Sequence, residues 1–242
     1  MRELELELDG IGVGSVQRRL RHSLLRRMGR IASARAFRLE RAMEHLAKRG
    51  ADILVASMAL VVLSPLLMLV ALAIKLTDKG PVLFWQTRIG RQGRPFAFPK
   101  FRSMVVNAAK LKDSLVSEND HGQSVTFKMK NDPRVTTIGA IIRRLSIDEL
   151  PQLWCVLTGQ MTLVGPRPPV PREVDQYTLS DRRRLEAIPG LTCIWQVSGR
   201  GDIPFEGQVD LDVEYIQSRS VLLDMSLLLR TIPAVVSGRG AY

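Results

Sequence analysis

Asp148 and Glu149 are an adjacent acidic pair five residues after Arg143, in the run Arg143-Arg144-Leu145-Ser146-Ile147-Asp148-Glu149-Leu150-Pro151-Gln152. A carboxylate held near cations suits a nucleophile or a metal ligand, and the arginine suits a phosphate. A plainer reading fits the same residues. Ser146 and Glu149 match the Ser-x-x-Glu capping box, whose side chains only satisfy backbone donors, and Asp148 alone would serve as an N-cap. The run itself leaves both open.

Two amphipathic segments must position this pair. Ile138, Ile141, Ile142 and Leu145 recur at helical spacing before it, and Leu150, Leu153, Trp154 and Leu157 after it. Pro151 has no N–H and belongs in a first turn, so the second helix is expected to start near Asp148 or Glu149. The carboxylates would then sit at a helix N-terminus, where the macrodipole favours negative charge and a phosphate alike.

Further back, Ile53 to Ile74 is twenty-two residues without a charge. As one helix it would cover ~33 Å, about the thickness of bilayer hydrocarbon. Ser64-Pro65 falls at its middle. Proline there frees the Val61 carbonyl and bends the helix, and the Ser64 hydroxyl can re-satisfy the freed group. Lys48 and Arg49 precede the run, and Lys75, Lys79, Arg88, Arg91 and Arg94 follow it. Basic flanks stay on the cytoplasmic side, so a hairpin entering and leaving by one face fits better than a span, with a kinked spanning helix as the alternative.

The chain of 242 residues carries a net charge of +11 and a pI near 10.3, which points to polyanionic partners: anionic lipid, nucleic acid or phosphorylated substrates. Most of the excess precedes residue 50, where residues 16–49 hold eleven lysines and arginines against Glu40 and Glu44. Mixed with Leu20, Leu24, Met28, Ile31 and Leu46, they read as one or two basic amphipathic helices. Residues 1–15 carry no assignment. Cys155 and Cys193 form no CxxC pair, and a buried free thiol is expected at Cys155. His22, His45 and His121 are too scattered for a zinc site, and no N-terminal signal peptide is visible.

From Thr77 the pattern is that of a globular domain. Val82 to Trp85 and Phe96 to Phe98 read as strands around a turn from Gly90 to Arg94. Residues 105–130 read as helical and then polar, with a loop at Asn119-Asp120-His121-Gly122. Near the end, Leu222-Leu223, Met225, Leu227 to Leu229 and Ile232-Pro233 fit a core or an interfacial element equally. Leu163-Val164-Gly165-Pro166-Arg167-Pro168-Pro169 fixes a guanidinium between prolines, which suits bidentate phosphate binding. Pro189-Gly190-Leu191-Thr192 opens a further turn-rich segment ending at Arg200.

In this order, from about Lys48 to Val236, the chain resembles the bacterial sugar transferase family, the monotopic phosphoglycosyl transferases. The marks are Ser64-Pro65, Phe84-Trp85-Gln86 with Arg88-Ile89-Gly90, Gly93-Arg94-Pro95-Phe96, Lys100-Phe101-Arg102-Ser103-Met104, and Asp148-Glu149-Leu150-Pro151-Gln152. Gly165-Pro166-Arg167-Pro168, Pro189-Gly190-Leu191-Thr192, and Leu211-Asp212 before Tyr215 complete them. Cys193 departs from the glycine expected there. The multi-span region of longer members is missing, and the resemblance does not explain the basic leader.

The resemblance implies an α+β protein: a leader at 1–49, a re-entrant membrane helix at 50–76 kinked at Ser64-Pro65, and a mostly helical catalytic domain with a short β-hairpin at 77–242. It implies transfer of a phosphosugar from a UDP-sugar to polyprenyl phosphate, with release of UMP, through an intermediate on Asp148. Mg²⁺ is expected near Glu149. Lys100, Arg143, Arg167 and Arg200 would answer the phosphates, with Asp212 a secondary site residue. The implied location is the bacterial inner membrane, with the catalytic domain facing the cytoplasm, no nucleic-acid partner, and a homodimer compatible. Two rivals stand beside this reading. A membrane-tethered nucleic-acid binder would use the helix-turn-helix look of residues 137–158, although Asp148 and Glu149 would repel phosphates there. An inactive membrane scaffold would keep the fold alone. No motif identifies the sugar.

Overall fold

The computed structural model describes residues 13–112 and 132–238, with side chains from residue 42 onward apart from 78, 109, 112 and 201. Residues 1–12, the leader's side chains through Arg41 and the loop expected at Asn119 to Gly122 lie outside the described residues. The chain divides into two compact units, residues 1–50 and 51–242. In the first, the backbone is helical from Val13 onward, as the basic amphipathic pattern led one to expect.

That helix, α1 (Val13–Asp78), runs through Pro65. The Ser64 hydroxyl donates to the Val61 carbonyl at 2.8 Å, the group that the missing proline N–H leaves free. Within α1, residues 42–77 are long and apolar enough to cross a membrane. Most of their large side chains are exposed, including Leu54, Met58, Val61, Val62, Met68, Leu69 and Leu72. One stripe at helical spacing is covered instead: Asp52 and Ala56, with Ala59 and Leu60 partly buried, and then Leu67, Val70, Ala71 and Ile74.

The second unit is rich in short helices, with two small sheets. Strands β1 (Leu83–Ile89) and β2 (Pro95–Phe101) pair antiparallel from Leu83 opposite Phe101 to Ile89 opposite Pro95, around a 3-10 turn at Arg91–Gly93. This is the expected hairpin, and Gln92 at φ 58° and Gly93 at φ 77° close its turn. A short helix α2 (Ala108–Lys112) precedes the undescribed segment, and α3 (Thr137–Arg144) follows it, N-capped by the Thr136 side chain, which accepts from the Gly139 N–H at 2.9 Å. Next come a 3-10 turn (Ile147–Gln152), α4 (Leu153–Thr158), β3 (Thr162–Val164), α5 (Pro171–Val174), a second such turn (Asp181–Glu186) and β4 (Gly190–Thr192). Helix α6 (Ile194–Ser198), a further 3-10 turn (Arg200–Asp202), α7 (Phe205–Ser218) and α8 (Val221–Ser237) complete the described residues.

Strands β3 and β4 are a parallel pair that the sequence pattern did not announce. They approach closely at two glycines: a Cβ on Gly190 would overlap the Gly165 backbone nitrogen. The main core joins Ala56 of α1 to Phe96 and Phe98 of β2, Leu153 and Val156 of α4, Leu163 and Val164 of β3, Tyr215 and Leu227. A second cluster joins Val70 and Ile74 of α1 to Phe101 and Ile142. In helix α8 Leu227 joins the core, whereas Leu222, Met225, Leu229, Ile232 and Val236 are exposed at helical spacing.

Candidate active site

The turn carrying the acidic pair departs from the expected geometry. Ser146 ends α3 in the left-handed region, at φ 53°, and the chain then enters a 3-10 turn with Pro151 inside it; the α-helix begins only at Leu153. No capping box forms. Ser146 makes no side-chain cap, and the Glu149 carboxylate turns to two cations instead. Because Lys100 and Arg167 offer charge-assisted hydrogen bonds, they outcompete a single backbone N–H for that carboxylate.

Lys100, from β2, donates to Glu149 Oε1 at 3.2 Å. Arg167 forks across both oxygens, at 3.2 Å to Oε2 and 2.5 Å to Oε1. Arg88 lies beside this group. Its Nη1 donates to the Pro168 carbonyl at 2.8 Å, its Nε donates to Gln86 Oε1 at 3.1 Å, and its guanidinium sits 5.1 Å from the centre of the Phe98 ring, which Lys100 also approaches at 5.4 Å. The loop bearing Arg167 is fixed at several points. Ile89 N–H donates to Pro169 O at 2.9 Å, Gly190 N–H to Pro166 O at 2.9 Å, and Gly165 N–H to Thr192 O at 3.0 Å. The rigid arginine foreseen between prolines is thus held in place, against Glu149.

Asp148 is 7% exposed and accepts no hydrogen bond from the described residues. Burial, then the Glu149 charge, push its carboxyl up to about 6 against the pull of Lys100, Arg143 and Arg167. It is thus mostly ionised near neutrality, though less readily than the helix-end expectation implied. Burial alone would raise the Glu149 carboxyl too, but the Arg167 and Lys100 charges outweigh it and hold it well below the usual carboxylate range. The two carboxyls diverge: one is locked as an anion between cations, the other stays unbonded and easier to protonate.

Of the other expected residues, Arg143 lies half-buried in the last turn of α3, with its charge acting on Asp148 and on Asp132. Arg200, at φ 52°, donates to the Ser146 hydroxyl at 3.5 Å, and its charge is felt at Glu149 and Arg167. Asp212 is not a surface carboxylate. It is 1% exposed and ion-paired with the buried Arg184, and burial raises its carboxyl to about 6 despite Arg184. The charge of Arg167, which forks onto Glu149, also bears on Asp212. Arg88, Arg184 and Asp52 were not singled out as site residues in the sequence. Cys155 and Cys193 are free and buried, as expected for Cys155.

For a divalent cation, no group of three or more His, Cys, Asp or Glu side chains exists among the described residues. Mg²⁺ is commonly held by one or two carboxylates together with substrate phosphates, and Glu149 meets the lower count. Three of the four lone-pair positions of Glu149 are taken by Lys100 and Arg167, which leaves room on Oε2. The donor set fits Mg²⁺ brought in with a diphosphate.

An apolar helix whose covered stripe joins the hydrophobic clusters of the second unit, and in that unit a buried carboxylate pair with lysine and arginine on Glu149, are the features to set against known proteins. Residues 43–238 match the family model described as bacterial sugar transferase, and the chain belongs to that family. It is 40% identical over 200 residues to the exopolysaccharide production protein ExoY of Rhizobium meliloti, covering 81% of this chain and 88% of that one. It is 39% identical over 212 residues to a UDP-glucose:undecaprenyl-phosphate glucose-1-phosphate transferase of Caulobacter vibrioides, covering 84% and 75%. With the undecaprenyl-phosphate galactose phosphotransferase of Salmonella typhimurium it shares 41% identity over 199 residues, 81% of this chain but 41% of that longer one.

Proposed function

We propose that this chain transfers a sugar 1-phosphate from a UDP-sugar to polyprenyl phosphate, releasing UMP, as an early step of exopolysaccharide or related glycoconjugate synthesis at the inner membrane. The observation that carries the reading is the buried, unbonded Asp148 carboxylate beside the Glu149, Arg167 and Lys100 cluster. The names of the relatives supply the substrate class.

In the first step an Asp148 oxygen attacks the sugar-bearing β-phosphorus. The bond from that phosphorus to the bridging oxygen breaks, and UMP leaves with the electron pair. In the second, a phosphate oxygen of the lipid attacks the same phosphorus, the acyl-phosphate bond breaks, and Asp148 regains its carboxylate. Anion meets anion both times. Arg143, Arg167 and Arg200 supply positive charge, Lys100 and Arg167 orient Glu149, and the low exposure of the site strengthens each of these interactions. Mg²⁺, which Glu149 would hold, would supply further neutralisation of the diphosphate when bound.

A re-entrant membrane helix is part of the same reading, with the catalytic unit on the cytoplasmic face. Both arms of the apolar run, on either side of Pro65, join clusters of one catalytic unit: Ala56 the cluster that holds Phe98 and Leu153, Val70 and Ile74 the one that holds Phe101 and Ile142. A crossing helix would draw that unit, with its buried ion pairs, to bilayer depth, where stripping each charged group of water costs on the order of several kcal/mol. UMP release from a panel of UDP-sugars, with polyprenyl phosphate and Mg²⁺, tests the reaction and identifies the sugar. Near-normal turnover by Asp148→Asn would sink the nucleophile assignment.

A further inference from the structure

Asp52 stands one residue ahead of the uncharged run and is 5% exposed. A carboxylate in such a place is costly unless it is well bonded. Its Oδ2 accepts from the Thr162 hydroxyl at 2.5 Å, and its Oδ1 from the Leu163 N–H at 3.2 Å. Both donors belong to β3. The strand runs on through Gly165 and Pro166 to Arg167, the residue that forks onto Glu149.

The far side of β3 is fixed within the catalytic unit. Thr162 N–H donates to Pro189 O at 2.9 Å, Gly165 N–H to Thr192 O at 3.0 Å, and the Tyr215 hydroxyl to Val164 O at 2.8 Å. These hold the arginine loop in shape whatever the helix does. Asp52 performs a different task, joining that strand to the start of the apolar helix.

We infer that Asp52 is a positioning residue: by tying β3 to the apolar helix, it sets the height at which the Arg167, Glu149 and Asp148 site meets the phosphate of a bilayer-held acceptor. This rests on the transfer reaction proposed above. The two substrates then depend on Asp52 unequally. A UDP-sugar arrives from water and meets a site whose internal struts are intact. The lipid phosphate is confined to the headgroup plane, so a loosened tether misplaces the site relative to it.

The test uses the full chain in phosphatidylethanolamine and phosphatidylglycerol nanodiscs, with rates taken per folded protein and KM measured for each substrate. Asp52→Ala is expected to raise KM for polyprenyl phosphate roughly tenfold, the weight of a lost charge-assisted hydrogen bond, and KM for the UDP-sugar less than about twofold. Asp52→Asn keeps an acceptor for the Leu163 N–H and a polar partner for Thr162, and is expected to recover to within about threefold of wild type. Thr162→Val removes one of the two bonds; it is expected to raise the lipid KM about threefold alone and to add little to Asp52→Ala, and it carries the test if Asp52→Ala does not fold. Equal rises in both KM values, no rise in either, or Asp52→Asn as impaired as Asp52→Ala would overturn the inference while leaving the reaction standing. A wild-type chain that releases no UMP overturns both.

Discussion

Replacing Asp148 by asparagine should abolish turnover and at the same time make the protein more stable near neutrality. Asp148 is buried, accepts no hydrogen bond from the described residues, and has its carboxyl raised from the ordinary aspartate range to about 6. A shift of some two pH units corresponds to a burden on the order of 3 kcal/mol when the group is ionised. The sign follows from the direction of the shift. Below the ordinary aspartate value the carboxyl is protonated in folded and unfolded states alike, and no penalty exists. As pH rises towards about 6 the unfolded chain ionises first and gains relative to the folded one; above that the penalty is constant. An uncharged amide of the same shape escapes it. For a unit of this size the gain should lift Tm by roughly 6–12 °C at about pH 8 and shrink to roughly 1–2 °C by about pH 4. Tryptophan-fluorescence melts of both proteins in one detergent, across that range, read the difference directly. A variant that melts at or below the wild-type temperature at about pH 8, or a gain that persists unchanged at about pH 4, would refute the electrostatic account. In wild type, kcat/KM for the UDP-sugar should fall on the acid side with an apparent pKa near 6, since the attacking group must be ionised.

Arg167→Lys keeps the charge but loses the fork onto Glu149 and should lower kcat about a hundredfold, measured by UMP release; a loss under about threefold would show that the bidentate geometry is immaterial. Gly190→Ala places a methyl against the Gly165 backbone and should reduce folded yield or lower Tm by roughly 5 °C or more in a melt. Single cysteines introduced at the two ends of residues 53–74, in a chain lacking Cys155 and Cys193, should both be labelled from the cytoplasmic side; labelling from opposite sides would disprove the re-entrant helix.

What could be read beforehand depended on how locally each feature is encoded. The hairpin of β1 and β2 is signalled by adjacent runs and a Gly90-to-Arg94 turn, and the Ser64 hydroxyl's bond to Val61 follows from a proline four residues on. Glu149 was harder. Its partners lie 49 and 18 residues away in the chain, so within the run alone the Ser-x-x-Glu pattern is the nearer explanation, and only the fold brings Lys100 and Arg167 to it. Strands β3 and β4 span three residues each, too few to show alternation, and read as turn-rich sequence. Asp52 falls just outside an apolar run counted from Ile53, and its partners Thr162 and Leu163 lie 110 and 111 residues away. Nothing in the residue types foretold the left-handed Ser146, or that Asp212 would be buried against Arg184.

The backbone contact between Gly165 and Gly190 has a consequence for anyone who wishes to re-engineer this protein. The segment carrying Arg167 and the one opening with Pro189 and Gly190 touch with no side chain between them, so neither can be exchanged alone. A chimaera that takes residues 165–169 from another transferase inherits a curvature shaped to the other parent's second segment, and should fail unless residues 189–192 travel with it. The practical unit of transplantation in this half of the molecule is therefore a pair of segments far apart in the chain and fused in space.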